Sequence, residues 1–567
     1  MAVEANFMIA GEAGQGVQSA GLILSKTMSR GGYHVFADQD YESRIRGGHN
    51  FFRIRVSDSE IGAILEPVNV LLALNQESIE LHKHELAEKG IIVSDEERVK
   101  DSRGDGSFLS VPMDRLAEEK AGNRIMGNTV ALGACLGLVG YDLEILNNVL
   151  RDYFGEGKVS EANIRAARAG YEYVQKNFDS NSAPRLRPRS QGKRLLLNGN
   201  EALALGALAA GCKFVSSYPM TPATPILEYM MSKSKELDLA VVQPEDEIAA
   251  INMAIGAGYA GVRSMTATSG SGFCLMVEGL GLAGLTETPL VVVDAQRPGP
   301  AVGLPTRTEQ GDLQFVISAH HGDVPRAVLA PATVEEAFWL TTKAFNLAEK
   351  YQIPVIILTD HYLATSYATV DTFDLSRVTI DRGELFTGKP EEYKRHVVTE
   401  SGISPRAFPG LSEALVVTDA DEHDEVGHLT ESAQARTAQV DKRLRKINSL
   451  KRDIIPPELY GPKKAELTLV GWGSTYGALR EAVDELSQEI KLNLLHFRKL
   501  WPFPAEMVNK MFTRTEKLCI VENNATGQLA RLIRAETGRE IQRKILKYDG
   551  RPFTAGYIIE RLRREGI

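Results

Sequence analysis

Two short runs concentrate the groups able to do chemistry. They are Tyr218-Pro-Met-Thr-Pro222 and, a helix-length gap later, Glu245-Asp-Glu-Ile-Ala-Ala-Ile-Asn-Met-Ala-Ile-Gly256. Pro219 and Pro222 set their own φ and bracket Thr221, whose hydroxyl can donate to a carboxylate or a carbonyl. Glu245, Asp246 and Glu247 directly precede an Ala- and Gly-rich helical run that is too apolar for a surface helix. A carboxylate in that setting is costly unless a cationic or protonated group meets it. Counted from Glu247, small residues fall at Ala250, Ala254 and Gly256, a face suited to close packing. That assigns the buried, chemical position to Glu247 and leaves Glu245 and Asp246 as caps complementing the helix dipole. The competing reading makes all three acids caps and Thr221 part of a rigid turn.

Further hydroxyls and cations follow in the same region. SMTATSGSG (264–272) ends a strand in Thr268, Ser269 and Gly270, whose neighbouring amides suit a polar ligand. PLVVVDAQ then runs into Arg297-Pro-Gly-Pro, with Thr306 and Arg307 beyond. An arginine fixed between a strand end and prolines is preorganised to grip a carboxylate in two-point fashion, with a structural salt bridge as the alternative.

At the amino terminus Gly11, Gly14 and Gly16 follow a strand and open a helix, a geometry that can cradle a phosphate. The spacing is G-x-x-G-x-G rather than the dinucleotide G-x-G-x-x-G, so a tight turn with close packing competes. Arg44 and Arg46, with Gly47 and Gly48, can meet phosphates or form salt bridges at an interface. Gly104-Asp-Gly106, with Asn128 downstream, mimics a magnesium–diphosphate motif, but its flanks are hydrophilic and no apolar strand precedes it. It reads as a surface turn, and no metal site is assigned to the chain.

The 567 residues carry a formal net charge of −9, with 43% hydrophobic and 25% charged residues, the balance of an ordinary globular protein and a poor one for general nucleic-acid binding. No apolar run reaches membrane-spanning length and the first residues lack a signal-peptide pattern, so a cytoplasmic location is expected. Cys135, Cys212, Cys274 and Cys519 are scattered without C-x-x-C spacing, which argues against an iron–sulfur cluster or structural zinc held by this chain.

Strand-like runs (NFMIAG, HVFA, FFRIRV, VNVLLAL, GIIVSD) alternate with amphipathic helices, which implies an α/β fold with a parallel sheet covered on both faces. Three α/β domains are expected, residues 1–179, 196–435 and 465–567, with a Pro-, Ser- and Arg-rich linker at 180–195. A charged helix or connector at 436–464 reads as surface or interface. Residues 372–435 form a long polar excursion of the kind that is usually functional or mobile.

Taken in order, these motifs resemble the thiamine-diphosphate-dependent 2-oxoacid:ferredoxin oxidoreductases. The likeness is to the alpha subunit of the 2-oxoglutarate type with a gamma domain fused at its amino terminus, and it covers essentially the whole chain. The Gly-rich start and Arg-Gly-Gly segment look like the gamma domain. YPMTP, DEIAAINMAIG, TATSGSG and QRPGPAVGLPT look like the pyrimidine-binding domain, and GWGSTYG and VENNATGQL like a transketolase carboxyl-terminal-type domain. The resemblance implies that Glu247 is the catalytic glutamate bonded to the aminopyrimidine ring, stabilising its imino tautomer. Tyr218, Pro219, Thr268, Ser269 and Gly270 would line the cofactor. Thr221, Arg297 and Thr306 would bind substrate, and Arg307 offers a second cation for a distal carboxylate. Gly14, Gly16, Arg44, Arg46, Gly47 and Gly48 would serve coenzyme A or subunit contacts. Magnesium and a [4Fe–4S] cluster would lie on a beta partner in a heterodimer or a dimer of heterodimers, with ferredoxin as acceptor. The implied reaction is CoA-dependent oxidative decarboxylation of 2-oxoglutarate to succinyl-CoA. Pyruvate or branched-chain 2-oxoacids are alternatives, as is a non-catalytic nucleotide-binding assembly subunit.

Overall fold

The computed structural model describes residues 3–43, 47–99, 107–178, 183–189, 192, 194–410, 412–453 and 455–566. Arg44, Arg46 and the Gly104–Gly106 turn lie outside the described residues. The chain divides into two compact units: Met1–Leu197 with Thr365–Phe373 and Thr554–Tyr557, and the remainder.

The first unit is built on an eight-stranded sheet. Each of the five expected strand runs finds a strand, Glu4–Glu12, His34–Asp40, His49–Ser57, Val68–Ala73 and Leu86–Ser94, with Leu74 and Asp95 falling just past the ends of the last two. The sheet is mixed, not parallel as the alternation implied. His49–Ser57 runs antiparallel to both Glu4–Glu12 and His34–Asp40, while Val68–Ala73 is parallel to Glu4–Glu12. The connection between His34–Asp40 and His49–Ser57 is too short for a crossover helix, so these strands return as neighbours. Helices Gly127–Val139 and Lys158–Asn177 pack backbone to backbone, because a Cβ on Gly133 would overlap Ala167 O and one on Gly170 would overlap Val130 O.

The second unit contains two sheets. In the seven-stranded one the order is Lys499–Trp501, Ala327–Leu329, Pro354–Asp360, Leu290–Gln296, Ser264–Thr268, Phe214–Ser216, Ala240–Val242. All pairings are parallel except that of Lys499–Trp501 with Ala327–Leu329. The five-stranded sheet is centred on Ala465–Trp472, flanked by Leu492–Phe497 and Thr515–Glu522. One apolar core joins the two: Val292 and Leu358 of the larger sheet belong to the same cluster as Trp472, Phe497 and Leu529.

The excursion and the charged helix depart from the sequence expectation. Helix Ala433–Arg452 buries Lys442, Arg443 and Lys446. Lys442 Nζ lies 2.6 Å from Glu287 Oε1, and Lys446 pairs with the other oxygen. His396 of the excursion reaches the same carboxylate at 3.1 Å. Burial works to raise the Glu287 pKa, yet the two lysines overcome it and hold the carboxyl well below its ordinary value. Glu349 is a second hub, meeting Arg263 at 3.0 Å and Arg406 at 3.1 Å. A segment poor in secondary structure is thus pinned through buried ion pairs, where loss of one partner would strand a charge.

Candidate active site

Three adjacent parallel strands deliver the site residues from their carboxyl ends, where open α/β sheets bind ligands. Phe214–Ser216 leads into Tyr218 and Thr221, Ser264–Thr268 into Ser269–Gly272, and Leu290–Gln296 into Arg297. The Thr221–Pro222 bond is cis. Ser217 Oγ donates to Ala267 O at 2.6 Å, tying the first turn to the neighbouring strand. Arg297 Nη1 donates to Thr221 O at 2.8 Å, so the two predicted substrate groups are brought together through a carbonyl.

The three carboxylates separate clearly. Asp246 caps the helix Glu247–Tyr259, its Oδ1 accepting from Ala249 N–H at 2.8 Å. Glu245 is exposed. Glu247 is 3% exposed and its Oε1 is buried with no hydrogen-bond partner. A Cβ on Gly272 would overlap both that oxygen and Thr268 Oγ1. Close packing of the helix runs through Ala250, Ala254 and Gly258, not Gly256, which is exposed. An α-helix repeats a face every three or four residues, so Gly258 follows Ala254 on the packed side. There a Cβ would come within 2.5 Å of Pro289 O.

Of the other predicted cofactor residues, Thr268 meets the same Gly272 position as Glu247. Thr268 and Ser269 are fully buried and Ser269 Oγ has no partner. Gly270 opens the short helix after them. Tyr218 is exposed and Pro219 partly so. Ile248, Met253 and Leu275 present apolar surface on the same helices.

Thr306 is buried and accepts from Arg307 Nη1 through its carbonyl at 3.0 Å. His361, at the end of strand Pro354–Asp360, has its pKa pushed down to about 3 by burial and then by Arg307 and Arg297. Both guanidinium groups thus act on one imidazole.

Sequence reading passed over buried acids on and next to strand Leu290–Gln296. Asp294 sits inside the apolar run PLVVVDAQ, fully buried with both carboxyl oxygens unpartnered. Glu309 and Asp312 lie in the segment TEQGDL, which is stitched to the five-stranded sheet. Gln310 Nε2 donates to Trp472 O at 2.9 Å, and Gln310 N–H donates to Asn523 O at 2.7 Å. An acid in an otherwise apolar strand was the available signal for Asp294. Spacing gave none for its neighbours, which a distant segment positions.

In the first unit Gly14 and Gly16 have φ of 94° and 76°, and Gly47 and Gly48 of 73° and 87°, all in the left-handed region that favours glycine. Ala13 N–H donates to Gly48 O at 3.1 Å, so these two glycine segments meet. Beside them His49 Nε2 stands 2.7 Å from His82 Nε2, and His82 Nδ1 2.7 Å from Glu85.

The buried unpartnered oxygen of Glu247, packed against Thr268 Oγ1 and Gly272, fits the ring nitrogen of a heterocycle that receives that carboxyl. Among the described residues no group of three or more His, Cys, Asp or Glu side chains is arranged to hold a metal ion, and no helix is long and apolar enough to cross a membrane.

Comparison with known proteins gives matches along the chain. Residues 205–442 match the family model described as pyruvate flavodoxin/ferredoxin oxidoreductase, thiamine diphosphate-binding. Residues 6–173 match pyruvate ferredoxin/flavodoxin oxidoreductase, and 465–558 match pyruvate:ferredoxin oxidoreductase core domain II. The chain is 33% identical to the 2-oxoacid:ferredoxin oxidoreductase subunit alpha of a Sulfolobus species, over 98% of this chain and 96% of that one. It is 30% identical to the 2-oxoglutarate oxidoreductase subunit KorA of Mycobacterium tuberculosis, over 97% and 89%. Among solved structures, 2-oxoglutarate:ferredoxin oxidoreductase from Magnetococcus marinus, with 2-oxoglutarate, coenzyme A and succinyl-CoA bound, matches with a TM-score of 0.93, at 34% identity over 99% of both chains.

Proposed function

The chain belongs to the 2-oxoacid:ferredoxin oxidoreductases, among their alpha subunits, and on that premise we propose that it supplies half of an active site for CoA-dependent oxidative decarboxylation of 2-oxoacids, with 2-oxoglutarate preferred. Members of this family are oxidoreductases that act on the oxo group of the donor with an iron–sulfur protein as acceptor. The proposed balance is 2-oxoglutarate, CoA and two oxidised ferredoxins giving succinyl-CoA, carbon dioxide, two reduced ferredoxins and one proton.

The observation that carries this reading is the unpartnered Glu247 carboxyl beneath Gly272. Thiamine diphosphate, when bound, supplies the nucleophilic carbon that lets the 2-oxoacid lose carbon dioxide. Glu247 holds or passes a proton at the ring nitrogen of the aminopyrimidine, in a pocket dry enough for that exchange to be directional. Thr268, Ser269 and Gly270 would hold the cofactor beside that carboxyl. Arg297, braced on Thr221 O, takes the substrate carboxylate. Thr221 and Thr306 are assigned to the substrate approach, and Arg307 to the distal carboxylate that distinguishes 2-oxoglutarate from pyruvate. The glycine segments of the first unit are assigned to coenzyme A or to subunit contacts.

The diphosphate half of the cofactor, its magnesium and the [4Fe–4S] cluster are assigned to a beta partner. Ile248 and Met253, about half exposed on the helix that carries Glu247, support a partner docking there. The isolated chain should reduce no acceptor, and adding the beta subunit should give 2-oxoacid- and CoA-dependent ferredoxin reduction. Within that complex Glu247→Ala should lower turnover by roughly 10²- to 10⁴-fold with assembly unchanged on gel filtration. Turnover by the isolated chain, or a fully active Glu247→Ala complex, would overturn the assignment.

A further inference from the structure

Thr221 O, the carbonyl that braces Arg297, belongs to a turn with little freedom of its own. Ala223 N–H and Thr224 N–H both donate to Met220 O, at 2.7 and 3.0 Å, which closes the turn on itself. Ser271 Oγ approaches Met220 Sδ at 3.5 Å, and Ser217 Oγ holds Ala267 O from the strand end. Arg297 Nη1 takes the Thr221 carbonyl at 2.8 Å. The next carbonyl along, Pro222 O, accepts from Asn200 Nδ2 at 2.9 Å. Two consecutive carbonyls are thus each held by a side chain from a distant part of the sequence.

The local backbone leaves Pro222 O to Asn200. Residue 225 is a proline and has no N–H to offer, and Ile226 N–H donates to Ala223 O at 3.0 Å. A proline ring also fixes its own φ, and the peptide planes on either side are rigid. The planes that carry Thr221 O and Pro222 O are therefore related by a single soft torsion, the ψ of Pro222. A donor that fixes Pro222 O fixes the direction of Thr221 O with it.

Asn200 is itself placed by a rigid element. Helix Gly199–Ala209 begins with a reciprocal cap, in which Asn198 Oδ1 accepts from Glu201 N–H and Glu201 Oε2 accepts from Asn198 N–H, both at 2.9 Å. Gly199 brings this first turn onto Leu363, where a Cβ would stand 2.2 Å from the carbonyl oxygen. Asn200 is 1% exposed, and its Oδ1 is buried without a hydrogen-bond partner. An amide that makes one bond and strands its other pole gains little for stability, because a stranded buried acceptor costs about what a neutral hydrogen bond returns. A side chain that adds little stability and sets the turn under Arg297 has the character of a functional support.

We propose that Asn200 is a positioning residue for substrate binding: by holding Pro222 O it aims Thr221 O, which keeps the Arg297 guanidinium directed at the 2-oxoacid carboxylate. This rests on the reading of Arg297 as the substrate arginine. That carboxylate is common to every 2-oxoacid, so Asn200 acts on affinity for the whole class and not on choice within it. The grip is made as soon as substrate binds, so its loss shows in KM rather than in kcat.

The test uses the complex with its beta partner, carrying Asn200→Ala, Arg297→Ala or both. Asn200→Ala should raise KM roughly 3- to 10-fold for 2-oxoglutarate and pyruvate alike, the worth of one neutral hydrogen bond, with kcat within about twofold of the parent. The denaturation midpoint should stay near that of the parent, since the stranded Oδ1 leaves with the side chain that held Pro222 O. Added to Arg297→Ala, the same substitution should change KM by less than about twofold, because residues acting through one contact are not additive. A residue serving the fold alone would lower the midpoint without this dependence on Arg297. Asn200→Leu, which fills the site and cannot donate, carries the same comparison if the alanine complex does not assemble. Unchanged KM in the Asn200 variants, a full further loss in the double variant, or failure of both Asn200 variants to assemble overturns the inference and leaves the functional reading standing. An Arg297→Ala complex with the KM of the parent overturns the reading on which the inference rests.

Discussion

Gly272 and Glu247 occupy space that admits no further atom: a methyl group on Gly272 would overlap Glu247 Oε1 and Thr268 Oγ1. The glycine keeps the carboxyl in place by having no side chain. Gly272→Ala should therefore move the carboxyl rather than unfold the chain, since Thr268 and Glu247 are side chains that can shift. A displacement of about 1 Å at a reacting group can cost 10²-fold in rate. We expect kcat to fall to that extent with far-UV circular dichroism unchanged. Turnover within about twofold of the parent would sever the link between these two residues.

Arg297 and Arg307 should separate by substrate. A hydrogen bond to a charged group contributes about 1.5–3 kcal/mol, so Arg297→Ala should raise KM roughly 10- to 100-fold for every 2-oxoacid. Arg307→Ala should do so for 2-oxoglutarate while leaving pyruvate little affected. Parallel KM measurements on the two acids decide it, and an Arg307→Ala complex that weakens both equally removes Arg307 from specificity.

Buried imidazoles set an acid limit on stability. Burial holds His49 at about 4, and His361 and His496 at about 3. In the unfolded chain each titrates near 6.5. Between those values the unfolded state binds a proton that the folded state does not, so stability falls as pH drops from about 6.5, by about 1.4 kcal/mol per unit for each such histidine. Denaturant midpoints at pH 7, 5.5 and 4.5 should descend in order, and His496→Gln should shallow the slope. A midpoint that stays level over this range contradicts the buried neutral state.

Glu287 should be the most sensitive single position for the connector. Glu287→Ala strands Lys442 and Lys446, both fully buried, and breaking a buried pair from one side costs about 3–5 kcal/mol. Limited proteolysis should then cut within residues 372–435, and the parent should resist it there. Replacing all three groups together (Glu287→Leu, Lys442→Met, Lys446→Met) should recover much of the loss. Equal resistance of Glu287→Ala and parent would show that other contacts hold the segment.

Much of this architecture was legible in the sequence because strand runs and glycine turns are local signals. The Glu247 position, the capping role of Asp246 and the strand ends that deliver Thr221 and Arg297 all follow from residue order. What escaped depends on segments remote in sequence. The helix that carries Lys442 and Lys446 reads as surface or interface because their counter-ion, Glu287, lies on another element. Asp312 carries no local signal; its segment is held by Gln310, clamped to Trp472 and Asn523. The antiparallel return of His34–Asp40 onto His49–Ser57 was hidden by an α/β rhythm that says which elements alternate, not which way each one runs.

Strand Lys499–Trp501 closes the outer edge of the seven-stranded sheet against Ala327–Leu329. The sequence boundary near residue 465 is therefore not a line along which the polypeptide can be parted. A fragment ending there would keep a raw strand edge with unpaired amides and carbonyls, the kind of template that recruits other chains and aggregates. The two halves should be soluble only when made together, behaving as complementary pieces of a split protein.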